Sequence, residues 1–229
     1  MSYITAVIPA AGQGSRMKAG FNKQYIMLQG KPILVHTLEV FENCKLIKDV
    51  VVVASPGEED YCRELLQEYG LTKITQVVTG GQERLQSVAL GLAQVSKNCD
   101  IVAVHDGARP LLLLSQLNEV LSVVPANDGA VLAVPVKDTI KEIDDHHLVK
   151  STLERTKLWA VQTPQVFKKD VITYVYTKAR EEGITGTDDA SLAEHYGFQI
   201  KVIPGSYENL KITTPEDLDL AELILKRRG

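Results

Sequence analysis

Cysteine is scarce in this 229-residue chain: Cys44, Cys62 and Cys99 are odd in number and far apart. That spacing excludes a paired zinc or redox site and fits a reducing compartment, so a cytoplasmic protein is expected. No 18 consecutive apolar residues occur, and Met1 leads directly into strand-like sequence without a basic segment and a long apolar run. The expectation is a protein that is neither secreted nor membrane-spanning. Positive charge is in short supply too, with 25 Lys and Arg against 29 Asp and Glu for a net charge of −4. A general nucleic-acid binder, which needs a basic footprint, is thereby excluded. Internal repeats, low-complexity tracts and linkers are missing, so a single domain over residues 1–229 is expected.

What remains is a chain with 45% apolar and 24% charged residues, enough for a substantial core. β-Branched runs predict strands at Tyr3–Pro9, Asp49–Ala54, Lys73–Val78, Asp100–His105 and Gly129–Val134. Amphipathic spacing predicts helices at Pro32–Phe41, with Pro32 suited to the first helical position, and at Glu58–Tyr69, Glu83–Val95 and Ser115–Val124. The alternation implies an α/β fold, a mostly parallel twisted sheet flanked by helices, with ligands bound beyond the carboxyl ends of the strands. Residues 137–156 break this rhythm. They alternate on either side of Asp144-Asp145-His146-His147 and read as an inserted β-hairpin arm, whose two edges are an aggregation liability unless something pairs with them. Helices follow at Lys168–Glu182 and Asp188–His195, then a strand at Phe198–Ile203. The segment around Lys211 reads as a short strand. A last helix is expected at Pro215–Lys226, with Thr214 as its cap and Glu216 and Asp217 in the first turn.

Three motifs carry chemistry. In "IPAAGQGSRMKAGFNKQY", residues 8–25, Ala10, Ala11, Gly12 and Gly14 follow a strand with little side-chain bulk, so backbone N–H groups can approach an anion. Arg16, Lys18 and Lys23 add cationic charge that a plain turn does not explain. The loop is not a dinucleotide fingerprint, because Met17 stands where a third glycine is needed and Ala54-Ser55-Pro56 offers no acidic residue for a ribose. It is not a G-x-x-x-x-G-K-[ST] loop either. In "TGGQERLQSV", residues 79–88, Gly80 and Gly81 precede a helix start bearing Gln82, Arg84 and Ser87. Two readings are open there, a site for a base or ribose and an ordinary β-to-α turn. In "VHDGARP", residues 104–110, Asp106 before Gly107 is either a carboxylate for Mg²⁺ shared with nucleotide phosphates or a residue that starts a turn. His105 reads as structural. Asp144-Asp145 and Asp188-Asp189 look like the acidic pairs of metal-dependent glycosyltransferases, but they fall at a turn and at a helix start, where a carboxylate favours the dipole.

Taken together, "PAAGQGSRM…NKQY", "GGQERLQSV", "HDGARP", "VPVKDTIK", "LERTKLWAVQTPQVF", "GTDDASLAE" and "NLKITTPEDL" resemble, in order and spacing, the 2-C-methyl-D-erythritol 4-phosphate cytidylyltransferase family of non-mevalonate isoprenoid synthesis. The resemblance runs from Ile4 to Leu225. It implies a Rossmann-like nucleotidyltransferase fold, a reaction joining CTP to a polyol phosphate with release of pyrophosphate, use of Mg²⁺, and a homodimer built by exchanged β-arms. By the same resemblance Arg16 and Lys23 would bind the triphosphate, while Ala10, Ala11, Gly12, Gly81, Gln82 and Ser87 would hold the cytidine. Pro9, Gly14, Arg84 and Gly107 belong to the same nucleotide-binding motifs. Asp106 would face the metal, Arg109 and Thr139 would bind the polyol phosphate, Thr163 and Lys211 would help position it, and Arg155 would reach into the partner's site. Arg16, Lys23, Arg155 and Lys211 form the implied catalytic set. Asn22, Gln82 and Glu208 depart from the commoner residues proline, aspartate and aspartate. The chemistry suits the composition: a substrate phosphate is already a nucleophile, so cations and glycines are needed rather than a Ser-His-Asp set. Ribitol 5-phosphate as acceptor, for which two glycines often replace Ala10-Ala11, is the nearest alternative. A non-catalytic nucleotide sensor is another.

Overall fold

The computed structural model describes residues 2–12 and 22–228. In chain order its elements are β1 (Ile4–Pro9), a 3-10 turn (Lys23–Tyr25), β2 (Met27–Leu28), β3 (Lys31–Pro32), α1 (Ile33–Asn43), β4 (Ile47–Ala54), α2 (Glu59–Glu68), β5 (Ile74–Thr79), α3 (Arg84–Leu92), β6 (Ile101–Val104) and α4 (Leu114–Val123). There follow β7 (Gly129–Pro135), β8 (Lys141–Ile143), β9 (Val149–Thr152), β10 (Trp159–Lys168), α5 (Lys169–Glu182), α6 (Asp189–His195), β11 (Ile200–Pro204) and α7 (Pro215–Arg228).

The main sheet has seven strands in the order β11-β7-β10-β6-β1-β4-β5, parallel except that β10 runs antiparallel to both β6 and β7. Its central strands β1 and β6 are buried throughout, because both faces are covered. Ala6, Ile8, Val50, Val52, Ala103 and Leu132 point into a core shared with Leu38 and Phe41 of α1 and Leu117 and Leu121 of α4. The intervening Val7, Val51, Val53, Val102, Val104 and Val131 point to the opposite core, with Val88 of α3, Ile172 and Val175 of α5 and Leu192 of α6. The period of two thus sorts one valine-rich run into two cores.

The path β1, β4, β5 leads outward in one direction, and the chain then returns to β6 on the other side of β1. That reversal opens a crevice between the loops that follow β1 and β6, the place where open α/β sheets bind ligands.

Several sequence expectations need correction. The run from Trp159 to Lys168 is a full strand in the middle of the sheet, although Pro164, Gln162 and Gln165 disguise it. Its register against β7 shifts between Val161 and Gln165, and the proline sits where that ladder lapses. The short hairpin β2-β3 was not anticipated; Gln29 and Gly30 turn it with φ of 49° and 81°. Pro32 is the N-cap of α1 in extended conformation, not its first helical residue. No strand forms around Lys211. That segment is tied instead by Ile212 N–H to Ala108 O at 2.8 Å, and Thr213 and Thr214 are engaged by Asp217, so no ladder is left for it to join. Thr214 does cap α7: its Oγ1 accepts from Asp217 N–H while Asp217 Oδ2 accepts from Thr214 N–H, a reciprocal cap.

The expected arm is present as β8 paired antiparallel with β9, its turn held by Asp144 Oδ1, which accepts from the N–H groups of His146 and Leu148. Asp188 likewise serves as the N-cap of α6, accepting from Ser191 N–H. Asp144 and Asp188 therefore do the local structural work the sequence suggested.

Candidate active site

The loops after β1 and β6 are stitched together by backbone bonds that continue the sheet: His105 N–H donates to Val7 O and Gly107 N–H to Pro9 O, each at 3.0 Å. On the other flank Ala10 N–H donates to Val53 O and Gly80 N–H to Ala54 O, each at 2.8 Å. Two glycines permit this closeness. A Cβ on Gly80 would lie 2.4 Å from the Cβ of Ala11, and one on Gly107 would lie 3.2 Å from the Cβ of Ala10. The small residues after β1 are thus clasped between two glycine turns, which brings backbone close to whatever enters the crevice.

A cavity of about 110 Å³ opens there, lined by Pro9, Ala11, Gly12, Lys23, Gln24, Gly81, Gln82, Glu83, Arg84, Ser87, Asp106, Ala108 and Lys211. Ten of the predicted nucleotide-site and catalytic residues meet on this wall: Pro9, Ala11, Gly12, Lys23, Gly81, Gln82, Arg84, Ser87, Asp106 and Lys211. Ala10 and Gly107 lie packed behind it. Ser87 is buried; its Oγ accepts from Gly81 N–H at 3.1 Å and donates to Glu83 O, which fixes the glycine turn. Gly14 and Arg16 lie outside the described residues.

Charge concentrates on Asp106. Its Oδ1 accepts from Arg84 Nε at 2.9 Å, Lys211 Nζ stands 2.8 Å from Oδ2, and Arg109 Nε is 3.9 Å from Oδ2. Burial alone would raise the pKa of this carboxyl, but Arg84, then Lys211 and Arg109, outweigh it and hold the group well below the usual carboxylate range. Arg109 is shifted down by burial, with Asp106 opposing the shift, and its Nη1 donates to Asn209 O at 2.7 Å. Lys23 is buried and donates from Nζ to Ile212 O at 2.8 Å, so it bridges the first loop and the segment that carries Lys211.

Behind Asp106 runs a closed relay. Asp106 N–H donates to Thr163 Oγ1 at 3.1 Å, and Thr163 Oγ1 is 3.0 Å from His105 Nδ1. His105 Nε2 is 3.1 Å from Arg109 O. A carbonyl can only accept, so Nε2 carries the proton and Nδ1 accepts from the threonine hydroxyl. His105 is fully buried, and burial pushes its pKa from 6.5 down to about 4, so it is neutral. This agrees with the structural reading of His105. Thr163 is buried behind Asp106 and does not line the cavity.

Thr139 and Arg155 lie exposed on the arm and are not among the residues that line the cavity. Arg155 Nη1 donates to Lys137 O at 2.8 Å. The three departures from the family pattern find local partners or a place in the wall. Asn22 donates to Ser55 Oγ at 2.6 Å and Glu58 Oε2 at 2.9 Å, Gln82 lines the cavity, and Glu208 pairs with Arg227 and Arg228 of the last helix rather than with the site.

Residues that the sequence reading did not assign to the site are Gly80, Gln24 and Asp189. Gln24 lines the cavity, and its buried Oε1 has no hydrogen-bond partner among the described residues. Asp189 is fully buried and takes both Nη atoms of Arg84, at 3.0 and 2.8 Å. The latter pairing joins positions 105 apart in sequence, which no local pattern signals.

A family model described as IspD: 2-C-methyl-D-erythritol 4-phosphate cytidylyltransferase matches residues 4–227. The 2-C-methyl-D-erythritol 4-phosphate cytidylyltransferase of Desulforamulus reducens is 48% identical over 230 residues, covering 100% of this chain and 98% of that one. That of Alkaliphilus metalliredigens is 46% identical over 228 residues, covering 99% and 95%. Among solved structures, 4-diphosphocytidyl-2C-methyl-D-erythritol synthase from Anaerococcus prevotii is 30% identical and superposes with a TM-score of 0.88 over 99% of each chain.

Proposed function

The chain belongs to the 2-C-methyl-D-erythritol 4-phosphate cytidylyltransferase family and carries that family's reaction in non-mevalonate isoprenoid synthesis, and we propose that the cavity beside Asp106 is where it does so. CTP is the co-substrate, and the product is 4-diphosphocytidyl-2-C-methyl-D-erythritol. A phosphate oxygen of methylerythritol phosphate attacks the α-phosphorus of CTP, the new P–O bond forms, the bond to the bridging oxygen of the β-phosphate breaks, and pyrophosphate leaves with that electron pair. No base is required, because the attacking phosphate is already anionic.

The observation that supports this reading is the set of cations around one buried carboxylate: Lys23 and Lys211 on the cavity wall, Arg84 and Arg109 against Asp106. Such groups supply positioning and charge neutralisation, which dominate phosphoryl and nucleotidyl transfer. Lys23 and Lys211 hold the phosphates in this reading, joined by Arg16 from the same loop as Lys23. The backbone of Pro9, Ala10, Ala11, Gly12 and Gly14, with Gly81, Gln82 and Ser87, holds the nucleotide. Gln24 Oε1, buried and unpartnered among the described residues, is an acceptor suited to a donor on the ligand.

The donor set also fits Mg²⁺. Among the described residues no cluster of three or more His, Cys, Asp or Glu could cage a metal alone, and Mg²⁺ is commonly held by one or two carboxylates with phosphates and water. Asp106 is that carboxylate: ionised, on the cavity wall, with Oδ2 paired to a lysine whose side chain is 37% exposed. Bound there, the ion would offset the negative charge of the triphosphate. Arg109, Thr139, Thr163 and Lys211 form the polyol-phosphate side of the reading, with Arg155 contributed across a dimer.

The dimer itself rests on the arm. Ile143, Leu148 and Val149 expose 48%, 65% and 61% of their surface, and among the described residues β8 and β9 pair only with each other. Short two-stranded ribbons are marginal alone, so exchange of arms at 137–156 between two single-domain chains satisfies both edge and apolar surface. The described helices include none long and apolar enough to cross a membrane. Water-soluble substrates accord with a cytoplasmic location, and nothing in the site calls for nucleic acid.

The deciding experiment is pyrophosphate release from CTP and Mg²⁺ with methylerythritol phosphate and, in parallel, with ribitol 5-phosphate. Turnover confined to methylerythritol phosphate and abolished in Lys23→Ala and Asp106→Asn supports the reading; normal turnover in either variant overturns the assignment of the site.

A further inference from the structure

Arg84 begins α3, where the helix dipole disfavours a cation. It is nonetheless tightly held. Its Nε donates to Asp106 Oδ1 at 2.9 Å, and its Nη1 and Nη2 donate to Asp189 Oδ1 and Oδ2 at 3.0 and 2.8 Å. A planar guanidinium can grip one carboxylate with two parallel donors and still present a third donor elsewhere, which an ammonium cannot do with the same rigidity. Here the doubly gripped carboxylate is the fully buried one, Asp189, and the singly gripped one is Asp106 on the cavity wall.

Asp189 is itself fixed from several sides. The hydroxyl of Tyr176, on α5, donates to its Oδ1. The backbone next to it is pinned through Ala190 N–H, which donates to Gln165 Oε1 at 2.9 Å, while Gln165 Nε2 donates to Asp188 Oδ2 at 2.7 Å. Gln165 lies in β10 opposite Val104, the last residue of β6, two positions before Asp106. The sheet, α5, α6, Arg84 and Asp106 therefore form one connected set of buried polar contacts.

We propose that Asp189 is a positioning residue for nucleotidyl transfer: with Tyr176 it locks the Arg84 guanidinium onto Oδ1 of Asp106 and so leaves Oδ2 as the one oxygen whose partner can exchange. The close partner at Oδ2 is Lys211 at 2.8 Å, a flexible point charge on a partly exposed side chain, with Arg109 Nε standing back at 3.9 Å, whereas the partner at Oδ1 cannot leave without uncovering Asp189. Arg84 is on this account a fixture of the carboxylate rather than a reader of the base. The inference rests on the reading that Asp106 works in the cavity. A staple that merely fastens α3 to α6 would use the same bonds, but it would not tie Asp189 to the rate of the chemical step.

Steady-state kinetics of Asp189→Asn, Arg84→Gln and the double variant separate these cases, with circular dichroism confirming the fold. We expect kcat of Asp189→Asn to fall on the order of tenfold to a hundredfold, the cost of a misplaced group, with KM for CTP little changed. In the Arg84→Gln background the same change should cost nothing more, because the two act as one unit. Wild-type kcat in Asp189→Asn, or losses that multiply in the double variant, would overturn the inference. If Asp189→Asn does not fold, Tyr176→Phe, which removes one hydrogen bond from the same carboxylate, decides by the same two criteria. Asp106→Asn is run alongside: normal turnover there sinks the site reading itself, whereas an inactive Asp106→Asn beside a fully active Asp189→Asn sinks only the positioning role.

Discussion

Lys211 and Asp106 are joined across the crevice, Nζ to Oδ2 at 2.8 Å, although they lie on separate segments, which are also tied by Ile212 N–H to Ala108 O and Arg109 Nη1 to Asn209 O. The pair is asymmetric, with the carboxylate 9% exposed and the lysine 37%. A buried anion therefore faces a cation that can reach into the cavity. Lys211→Met should leave the melting temperature nearly unchanged, since Arg84 still covers Asp106. Turnover should fall by roughly a hundredfold, about 3 kcal/mol of lost charge stabilisation. Steady-state assay with a thermal melt checks both halves, and kcat near wild type refutes the role.

Gly80 tests the backbone clasp. A methyl group there would sit 2.4 Å from the Cβ of Ala11, 3.0 Å from Ser87 Oγ and 3.1 Å from Ala54 O, so something must move, and two of the three neighbours belong to or support the nucleotide loops. Gly80→Ala should raise the KM for CTP several-fold and destabilise the fold by about 1–3 kcal/mol, as overpacking does. Isothermal titration with CTP and denaturant unfolding measure the two effects; unaltered nucleotide affinity would contradict the proposed contact surface.

Protonation of His105 should weaken the fold in acid. Its imidazole is neutral when folded, with a pKa pushed down by burial from 6.5 to about 4. Between those values the unfolded chain binds the extra proton and the folded chain does not. Stability from this group is therefore complete above pH 6.5 and is lost as pH falls towards 4, by up to about 3 kcal/mol. NMR titration of the ring together with urea unfolding at several pH values would test this, and a ring that titrates near 6.5 in the folded protein would refute it.

The arm carries the fourth prediction. Leu148 and Val149 expose more than half of their surface at the tip of β8-β9. If the arms exchange as proposed, Leu148→Asp with Val149→Asp should shift the protein from dimer to monomer in analytical ultracentrifugation. Activity should fall with it, because the proposed reach of Arg155 into a second site would be lost. A wild-type chain that sediments as a monomer at micromolar concentration would rule out the exchanged arm.

Much of this protein is written locally. The valine-rich runs at 50–53 and 101–104 specify strands because covering both faces of a parallel sheet requires apolar residues at every position, and the Thr214-Pro215-Glu216-Asp217 start of α7 specifies a helix because its bonds span four residues. The motifs after β1, before α3 and after β6 are likewise legible as neighbours, since short loops at strand ends carry them, and Gly12, Lys23, Gly81 and Asp106 line one cavity. The central strand β10 was not legible, because Pro164 breaks the pattern that marks a strand and only its neighbours β6 and β7 hold it in place. Nor could any local pattern show that Arg84 spans Asp106 and Asp189, that Thr163 and His105 brace the turn bearing Asp106, or that Glu208 turns away to Arg227 and Arg228. Propensity and periodicity act over a few residues, whereas the partner of a buried charge is whichever opposite charge the packed helices and sheet bring within 3 Å, and that is settled only when the whole chain has folded.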